Sequence, residues 1–362
     1  MIVKSIELQN FRNYTLEKIE FDSETNILYG DNAQGKTNIL EGIFVVATTK
    51  SHRASKDFEM INFNENEAHL KAIVEKNKND YRIDMHLRKN KAKGIAINGV
   101  PIRKSMELYG IINIIFFSPE DLNIISDGPA YRRKFIDMEL CQLDKIYADN
   151  LIKYKKVLDQ RNKLLKDIYY NDSLKDTLDI WDMQLAGYGR EIIKRREIFI
   201  KDINEIMKTI HTSLTGGIEK ISIDYEKSAK EEDFENIVLQ NRQKDIRMGN
   251  TSAGPHKDDI IFEINGVDAR KYGSQGQKRT TALSLKLAEI ELVKQKTGEM
   301  PILLLDDVLS ELDNKRQNYL LNSIKGVQTI ITCTGLDEFI DNRFKVNKIF
   351  SVVNGKISSY KE

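Results

Sequence analysis

A chain of 362 residues, 40% of them hydrophobic, is long enough for two domains with substantial cores. Charged residues make up 31% of it, yet the formal net charge is only +1, so any surface that meets a polyanion must be local and not a property of the whole molecule. Cys141 and Cys333 are far apart and lack metal-ligand spacing, which excludes a disulfide framework and a cysteine zinc site and predicts a reducing compartment.

In chain order, a strand-like Met1-Ile2-Val3 comes first. With no apolar run near about 18 residues and no lipidation signal at the end, the expectation is a soluble cytoplasmic protein with no membrane partner. The apolar Ile27-Leu28-Tyr29 then leads into Gly30, Asp31, Asn32, Ala33, Gln34, Gly35, Lys36 and Thr37, and Ile39 to Phe44 continues as helix. This is a P-loop in its strand-loop-helix context. Tyr81, Ile83, Met85 and Leu87 alternate with charged residues, the period of a half-buried strand, and Asn98-Gly99 suits a tight hairpin turn. Asn77-Lys78-Asn79-Asp80 matches a guanine-reading pattern, but it lies between two strand-like runs without the companion aspartate-x-x-glycine, so a hairpin turn is the better reading.

From about residue 140 the period becomes helical. Leu143, Tyr147, Leu151, Tyr154, Leu158 and Leu165, then Trp181, Leu185, Tyr188, Ile192, Phe199, Ile203, Met207 and Ile210, flank a polar break at Asn171-Asp172-Ser173. They predict an antiparallel helical hairpin with helices of about 45 to 55 Å. Its basic face, with Lys153, Lys155, Lys156, Lys194, Arg195 and Arg196, reads first as a solvated surface and second as a DNA-backbone contact. Residues 215 to 250 read as loop-rich. Ile260, Phe262 and Ile264 alternate into Asn265-Gly266, an amphipathic helix runs from near Gln277 through Val293, and Ile302 to Leu305 is an apolar run ending in Asp306-Asp307. Val327 to Cys333 reads as a buried strand with Cys333 as a small apolar residue, and Val352 to Ile357 as a hairpin.

The chemistry-bearing residues form an ATP site written in distant pieces. The P-loop amides and the positive end of its helix suit phosphate oxygens, Lys36 can reach the β- and γ-phosphates, and Thr37 can ligate magnesium. Asp306, at the end of a buried strand, is placed for the magnesium shell, and Asp307 for orienting or deprotonating the attacking water. Ser274, Gln275, Gly276 and Gln277 at a helix start offer a hydroxyl, amides and a dipole for a γ-phosphate, against the plainer reading of a helix cap. A second phosphate-binding element beside a P-loop implies an intramolecular lid or a contact across a dimer.

The ordered set Asn10-Phe11-Arg12-Asn13, the P-loop, Ser274 to Gln277, Asp306-Asp307 and Ser310-Glu311-Leu312-Asp313 resembles the ABC-type ATPase head of the structural-maintenance-of-chromosomes (SMC) class. Pro119-Glu120 leading to Gly128-Pro129 and Arg132-Arg133-Lys134-Phe135-Ile136-Asp137, together with Leu304 to Asp313 continuing to Arg316 and Leu320, makes the chain similar, over nearly its whole length, to the RecF family of bacterial recombination mediators. Asp127 stands where that family often has glycine, which bears on the local loop shape.

The resemblance implies an α/β fold, an ABC/SMC-type P-loop ATPase head with an inserted mainly helical lobe. Residues 1–117 and 299–362 would form the ATPase lobe and 118–298 the lobe with the hairpin and signature. It further implies ATP and Mg2+, an ATP-dependent homodimer, duplex DNA near single-strand junctions bound without base specificity, and RecR, with RecO and RecA in the pathway. Slow, DNA-stimulated hydrolysis would reset the dimer. Lys36 and Thr37 would act on phosphate and magnesium, Ser274 and Gly276 on the partner copy's γ-phosphate, Asp306 on magnesium and Asp307 where most ABC proteins use glutamate. Arg12 and Asn13 would lie beside the nucleotide. Arg132-Arg133-Lys134 would touch DNA phosphate or the nucleotide end of the fold or be solvated, His256 would be structural, lie at an interface or sense nucleotide, and Glu120 would occupy a magnesium-sensing position. On the residues alone, two other readings stay open: an ABC ATPase subunit of a transporter or chromosome-organising assembly, and a nucleotide-gated scaffold in which Asp307 is structural.

Overall fold

A computed structural model describes residues 1–335 and 345–359. The chain divides into two compact units, Met1–Asp121 with Ala282–Glu362, and Leu122–Thr281. The first boundary lies close to residue 117; the second falls at 281/282, where the sequence reading places it at 298/299. The reason lies in one long helix: from Ala282 onward it carries buried Leu283, Leu285, Leu287 and Ala288, and its buried Lys286 pairs with Asp121 and Glu289 at 3.3 and 3.2 Å.

The first unit contains an antiparallel sheet of β1 (Ile2–Phe11), β2 (Tyr14–Glu20), β4 (Glu67–Lys76), β5 (Asn79–Arg88), β6 (Lys91–Ile97) and β7 (Val100–Pro101), in the order β2-β1-β4-β5-β6-β7. Its strands alternate, with Ile6, Leu8, Leu70, Ile83 and Met85 buried and charged or polar residues on the other face. A second sheet takes β3 (Thr25–Tyr29), β8 (Ile114–Phe117), β12 (Ile302–Asp306), β13 (Thr329–Cys333), β14 (Lys348–Val353) and β15 (Lys356–Ser359), in the order β15-β14-β3-β13-β12-β8. All its pairings are parallel except β14 with β15. β8, β12 and β13 are buried at every residue, which is why they read as unbroken apolar runs. Helices α1 (Lys36–Thr48) and α10 (Asn314–Ser323) complete this unit with the greater part of α9 (Gln275–Thr297). Gln328 joins chain ends: its Oε1 accepts from Val3 N at 2.7 Å, and its Nε2 donates to Val3 O and Asp22 O at 2.9 and 2.8 Å.

The tight turns at Asn77-Lys78, Asn98-Gly99, Asn265-Gly266 and Asn354-Gly355 all have positive φ at both central residues. That is the twist-matched hairpin geometry, which asparagine and glycine tolerate best. The run from Asn77 is therefore a turn between β4 and β5, and Cys333 is buried in β13.

The second unit holds α2 (Leu122–Ser126), α3 (Pro129–Leu143), α4 (Lys145–Ile168), α5 (Leu178–Thr215), β9 (Ile221–Glu226), α6 (Phe234–Gln240), α7 (Arg242–Met248), β10 (Asp259–Ile264), β11 (Val267–Asp268), α8 (Ala269–Tyr272) and the first turns of α9. The hairpin is α4 and α5. Asp144 caps α4 by accepting from the Ile146 and Tyr147 amides, and Gly216, at φ 68°, ends α5. With 24 and 38 residues, the helices are about 36 and 57 Å long, less equal than expected. The expectation of loop between 215 and 250 is corrected: β9 pairs with β10 along its whole length, and α6 and α7 follow. Ile221 and Ile223 point inward there, a strand signal in plain view.

The basic readings also change. Arg196 is buried, with Nη2 2.7 Å from Asp137 Oδ1 and Nη1 2.7 Å from Pro255 O, so it belongs to neither a solvated face nor a DNA contact. Arg132 is buried too, paired with Asp259 at 2.6 Å. Lys153, Lys155, Lys156 and Lys194 remain exposed. His256 is half-buried, with its Nδ1 2.7 Å from the Tyr154 hydroxyl and its Nε2 3.1 Å from Thr251 O; burial pushes its pKa down to about 4. Among the described residues, no helix is long and apolar enough to cross a membrane.

Candidate nucleotide site

The site grows out of strand order. β3, which delivers the P-loop, and β12, which delivers the aspartates, are separated by β13, and all three run parallel, so their C-terminal ends open on one edge of the sheet. Thr332 of β13 bridges the gap: its hydroxyl donates to Asp306 Oδ1 at 2.8 Å and accepts from the Asp307 amide at 3.0 Å. Thr37, the first-turn residue of α1, donates to the same Asp306 oxygen at 2.8 Å. Two oxygens expected around magnesium are thus already adjacent, and a divalent cation would be held by displacing one proton contact.

The loop's backbone follows phosphate-binding geometry. Gly30, Ala33 and Gly35 have φ of 154°, 64° and 114°, values that turn successive amides inward. A side chain at Gly30 would strike the Val352 carbonyl, and one at Gly35 would come within 2.5 Å of Asn13 Nδ2. Lys36 Nζ donates to the carbonyls of Gly30 and Asp31, the latter at 2.8 Å, and so folds back over the loop. Burial lowers its pKa, while the carboxylates of Asp307, Asp306 and Asp31 work in the other direction. Asp307 has positive φ, 54°, a strained position for aspartate. Burial raises its pKa, assisted by Asp306 and Glu311 and opposed by Lys36, a direction that makes it a better proton acceptor.

Asn13 and Arg12 behave differently from each other. Asn13 lies on the loop, donating to Gln34 O at 3.1 Å and accepting from Asn38 Nδ2 at 2.8 Å. Arg12 is committed to protein: Nε and Nη2 grip both oxygens of Glu41 at 2.8 and 2.6 Å, and Nη1 donates to Glu59 O at 2.6 Å. Through these contacts it ties β1 to α1. The turn of the β14–β15 hairpin supplies a brace that the motifs did not announce. The Asn354 amide donates to Gln34 Oε1 at 2.6 Å and the Gly355 amide to Gln34 O at 3.1 Å.

Glu41 is fully buried on α1. Burial alone would raise its pKa, but hydrogen bonds from Arg12, Ser51 and Arg53 outweigh it and hold the carboxyl down at about 2. Because this folded pKa lies below the ordinary 4.5, the stabilisation is complete above about pH 4.5 and is lost as pH falls toward 2. Glu41→Gln is therefore expected to lower stability at pH 7 by up to about 3 kcal/mol. The gap to the parent chain should narrow progressively as pH falls from about 4.5 toward 2 in urea unfolding; a gap independent of pH would show that the carboxylate charge is not what holds Arg12.

Ser274 to Gln277 belong to the second unit. Ser274 Oγ accepts from the Gln277 amide at 3.2 Å and Gln277 Oε1 accepts from the Ser274 amide at 2.9 Å, a reciprocal capping box at the start of α9. Gln277 Nε2 also donates to Glu219 at 3.0 Å. Ser274, Gln275 and Gly276 are exposed. Glu120 is exposed in a short 3₁₀ turn, Pro119–Asp121. Thr332, Glu41, Arg53 and Gln34's hairpin brace are the parts that motif reading missed; of these only Asn354-Gly355 carried a signal, and it was one for a turn.

Residues 2–358 match the RecF/RecN/SMC N terminal domain family. The DNA replication and repair protein RecF of Agathobacter rectalis is 63% identical over 357 residues, covering 99% of both chains. That of Clostridium perfringens is 46% identical over 364 residues, again with 99% of each covered. A solved structure of the recombination mediator protein RecF with ATP, in the RecFOR pathway, aligns at a TM-score of 0.93 and 36% identity over 99% of this chain and 97% of that one. An SMC head domain from Pyrococcus furiosus, 19% identical with a TM-score of 0.56 over 99% of this chain and 96% of that one, shares the fold alone. With a complete P-loop, Thr37 hydrogen-bonded to Asp306 beside it and relatives alike from end to end, the chain belongs to the RecF family of ABC/SMC-type ATPases.

Proposed function

We propose that this protein is an ATP-driven clamp of recombinational repair in the cytoplasm. It binds ATP, dimerises, engages duplex DNA near a junction with single-stranded DNA, and with RecR and RecO helps to place RecA on gaps. Slow, DNA-stimulated hydrolysis then releases the dimer. The observation that carries this reading is the exposed Ser274 hydroxyl at the N-terminus of a 23-residue helix, in a chain that already holds a complete P-loop. A second phosphate-binding element suits the nucleotide of another copy.

In this reading the amides of Gly30 to Gly35 cradle the phosphates and Lys36 leaves the Gly30 and Asp31 carbonyls to meet the β- and γ-oxygens. Thr37 and Asp306 hold magnesium, which supplies Lewis-acid stabilisation of charge on the phosphoryl group. Asp307, its proton affinity raised by burial, orients and deprotonates the attacking water. Ser274 and Gly276, flanked by Gln275 and Gln277, receive the partner copy's γ-phosphate. DNA is held through its backbone, so affinity falls steeply with salt and shows no base preference.

Light scattering of the full chain with and without ATP-Mg, and with and without a gapped duplex, tests this. A dimer that forms only with ATP and persists on DNA is expected. Ser274→Arg, which places a bulky cation where the partner's phosphate would sit, is expected to leave ATP binding within a few-fold of the parent and to remove the dimer. A dimer unaffected by that substitution, or a monomer under every condition, would remove the trans-acting site.

A further inference from the structure

The outward face of the antiparallel sheet carries a cluster that the nucleotide site does not use. His69 of β4 and His86 of β5 are direct register partners, and their rings stack with centroids 4.1 Å apart and 19° between planes. Glu67 lies two residues before His69 and therefore on the same face. Its Oε2 is 2.8 Å from His86 Nε2, and its Oε1 is 3.9 Å from His69 Nε2. We propose that Glu67, His69 and His86 form a binding site for a divalent first-row transition cation of the zinc class, with solvent completing the coordination shell.

The donor set decides the chemistry. Two imidazoles and one carboxylate suit Zn2+, Co2+ or Ni2+, whereas magnesium and calcium select oxygen. One ligand atom from each residue lies within 4.8 Å of the others. Ligands about 2.0 to 2.1 Å from a tetrahedral zinc are separated by about 3.3 Å, so closing the site requires side-chain adjustments of about an ångström and no change in strand register.

The surroundings leave room, and the nearby lysine and arginine side chains make contacts of their own. Gly94 of β6 is the register partner of His86, and a side chain built there would find only His86 Cβ, at 3.9 Å. Arg88, opposite Glu67 across the β4–β5 pair, has its Nη2 on the Ala92 carbonyl at 2.7 Å. Lys71 faces Glu7 at 3.8 Å, and Arg82 holds Asp84 at 2.9 Å. A cation bound here would clip β4 to β5.

Calorimetric titration of ZnCl2 into the chelator-treated full chain, without nucleotide, tests the site. One equivalent is expected, accompanied by a rise in the Tm of the chain. His69→Ala and His86→Ala should each abolish that equivalent, and Glu67→Gln should weaken it by about tenfold or more. Since all three side chains lie on a solvent-facing surface, circular dichroism should show an unchanged fold. Co2+ in the same place should give a visible absorption band of four-coordinate intensity that both histidine variants lose. Binding that survives both histidine replacements, or a parent chain that takes up no zinc in excess metal, would overturn the proposal.

Discussion

Lys36→Ala is expected to lower ATP turnover by at least about a hundredfold, the scale of removing one preorganised charge from a transition state. Lys36 is the only cation that the P-loop itself contributes, and its ammonium lies 2.8 Å from the Asp31 carbonyl and against that of Gly30. In this arrangement it closes the loop on itself. Phosphate oxygens would compete for the same three donors, so the charge that stabilises transfer also stabilises the loop before nucleotide arrives. Lys36→Arg should lose most turnover as well, because a planar guanidinium cannot replace a compact ammonium bracketed by two carbonyls. Phosphate release under saturating ATP-Mg measures the effect. Turnover within a few-fold of the parent for both variants would move the catalytic charge away from this residue.

The largest expected loss of stability lies in the helical unit. Arg161 is fully buried on α4, with Nε 2.6 Å from Asp182 Oδ1 on α5 and Nη1 2.8 Å from Asp245 Oδ2 on α7. Thr251 Oγ1 accepts from the same Nη1 at 2.7 Å. One guanidinium thus ties three helices through two carboxylates that are themselves buried. Arg161→Met leaves Asp245 without its cation and Asp182 with only Arg242, and should lower stability by about 3 to 5 kcal/mol. For a unit of this size, that corresponds to a fall in Tm of about 10 °C. Trp181, the single tryptophan, neighbours Asp182 on α5, so its fluorescence follows this unit specifically. Replacing Asp182 and Asp245 by leucine together with Arg161→Met should recover part of the loss, because buried charges cost most when one partner is missing. A Tm unchanged by Arg161→Met would mean that the cluster is hydrated and weak.

What could be read from the chain follows from how local each feature is. The P-loop, the hairpin turns and the helical hairpin are each written within a few residues or in a sustained period, so Gly30 to Thr37, Asn98-Gly99 and the run from Tyr147 to Met207 announced themselves. β12 and β13 were legible because strands buried on both faces are apolar throughout. The misreadings concern charge. Arg132 and Arg196 look like surface residues in a basic sequence, but their carboxylate partners, Asp259 and Asp137, lie at distances along the chain that no local pattern encodes. Arg12 carries a pairing that could not be read for the same reason: Glu41, its carboxylate partner, is invisible until β1 and α1 are packed. β9 was lost in a polar stretch because only Ile221 and Ile223 mark its buried face.

The neighbours of β3 also impose an order on the molecule's birth. The P-loop leaves the ribosome well before the strands that brace it, for β3 is flanked by β13 and β14, and Gln34 is held by amides at Asn354 and Gly355. At roughly 5 to 20 residues per second, the loop waits many seconds for the strands that shape it. A growing chain therefore has no finished pocket to offer nucleotide, and an aborted or clipped chain that stops short of β14 carries the signature of an ATPase without its cradle. Synthesis itself withholds the braced loop until β14 and β15 are in place.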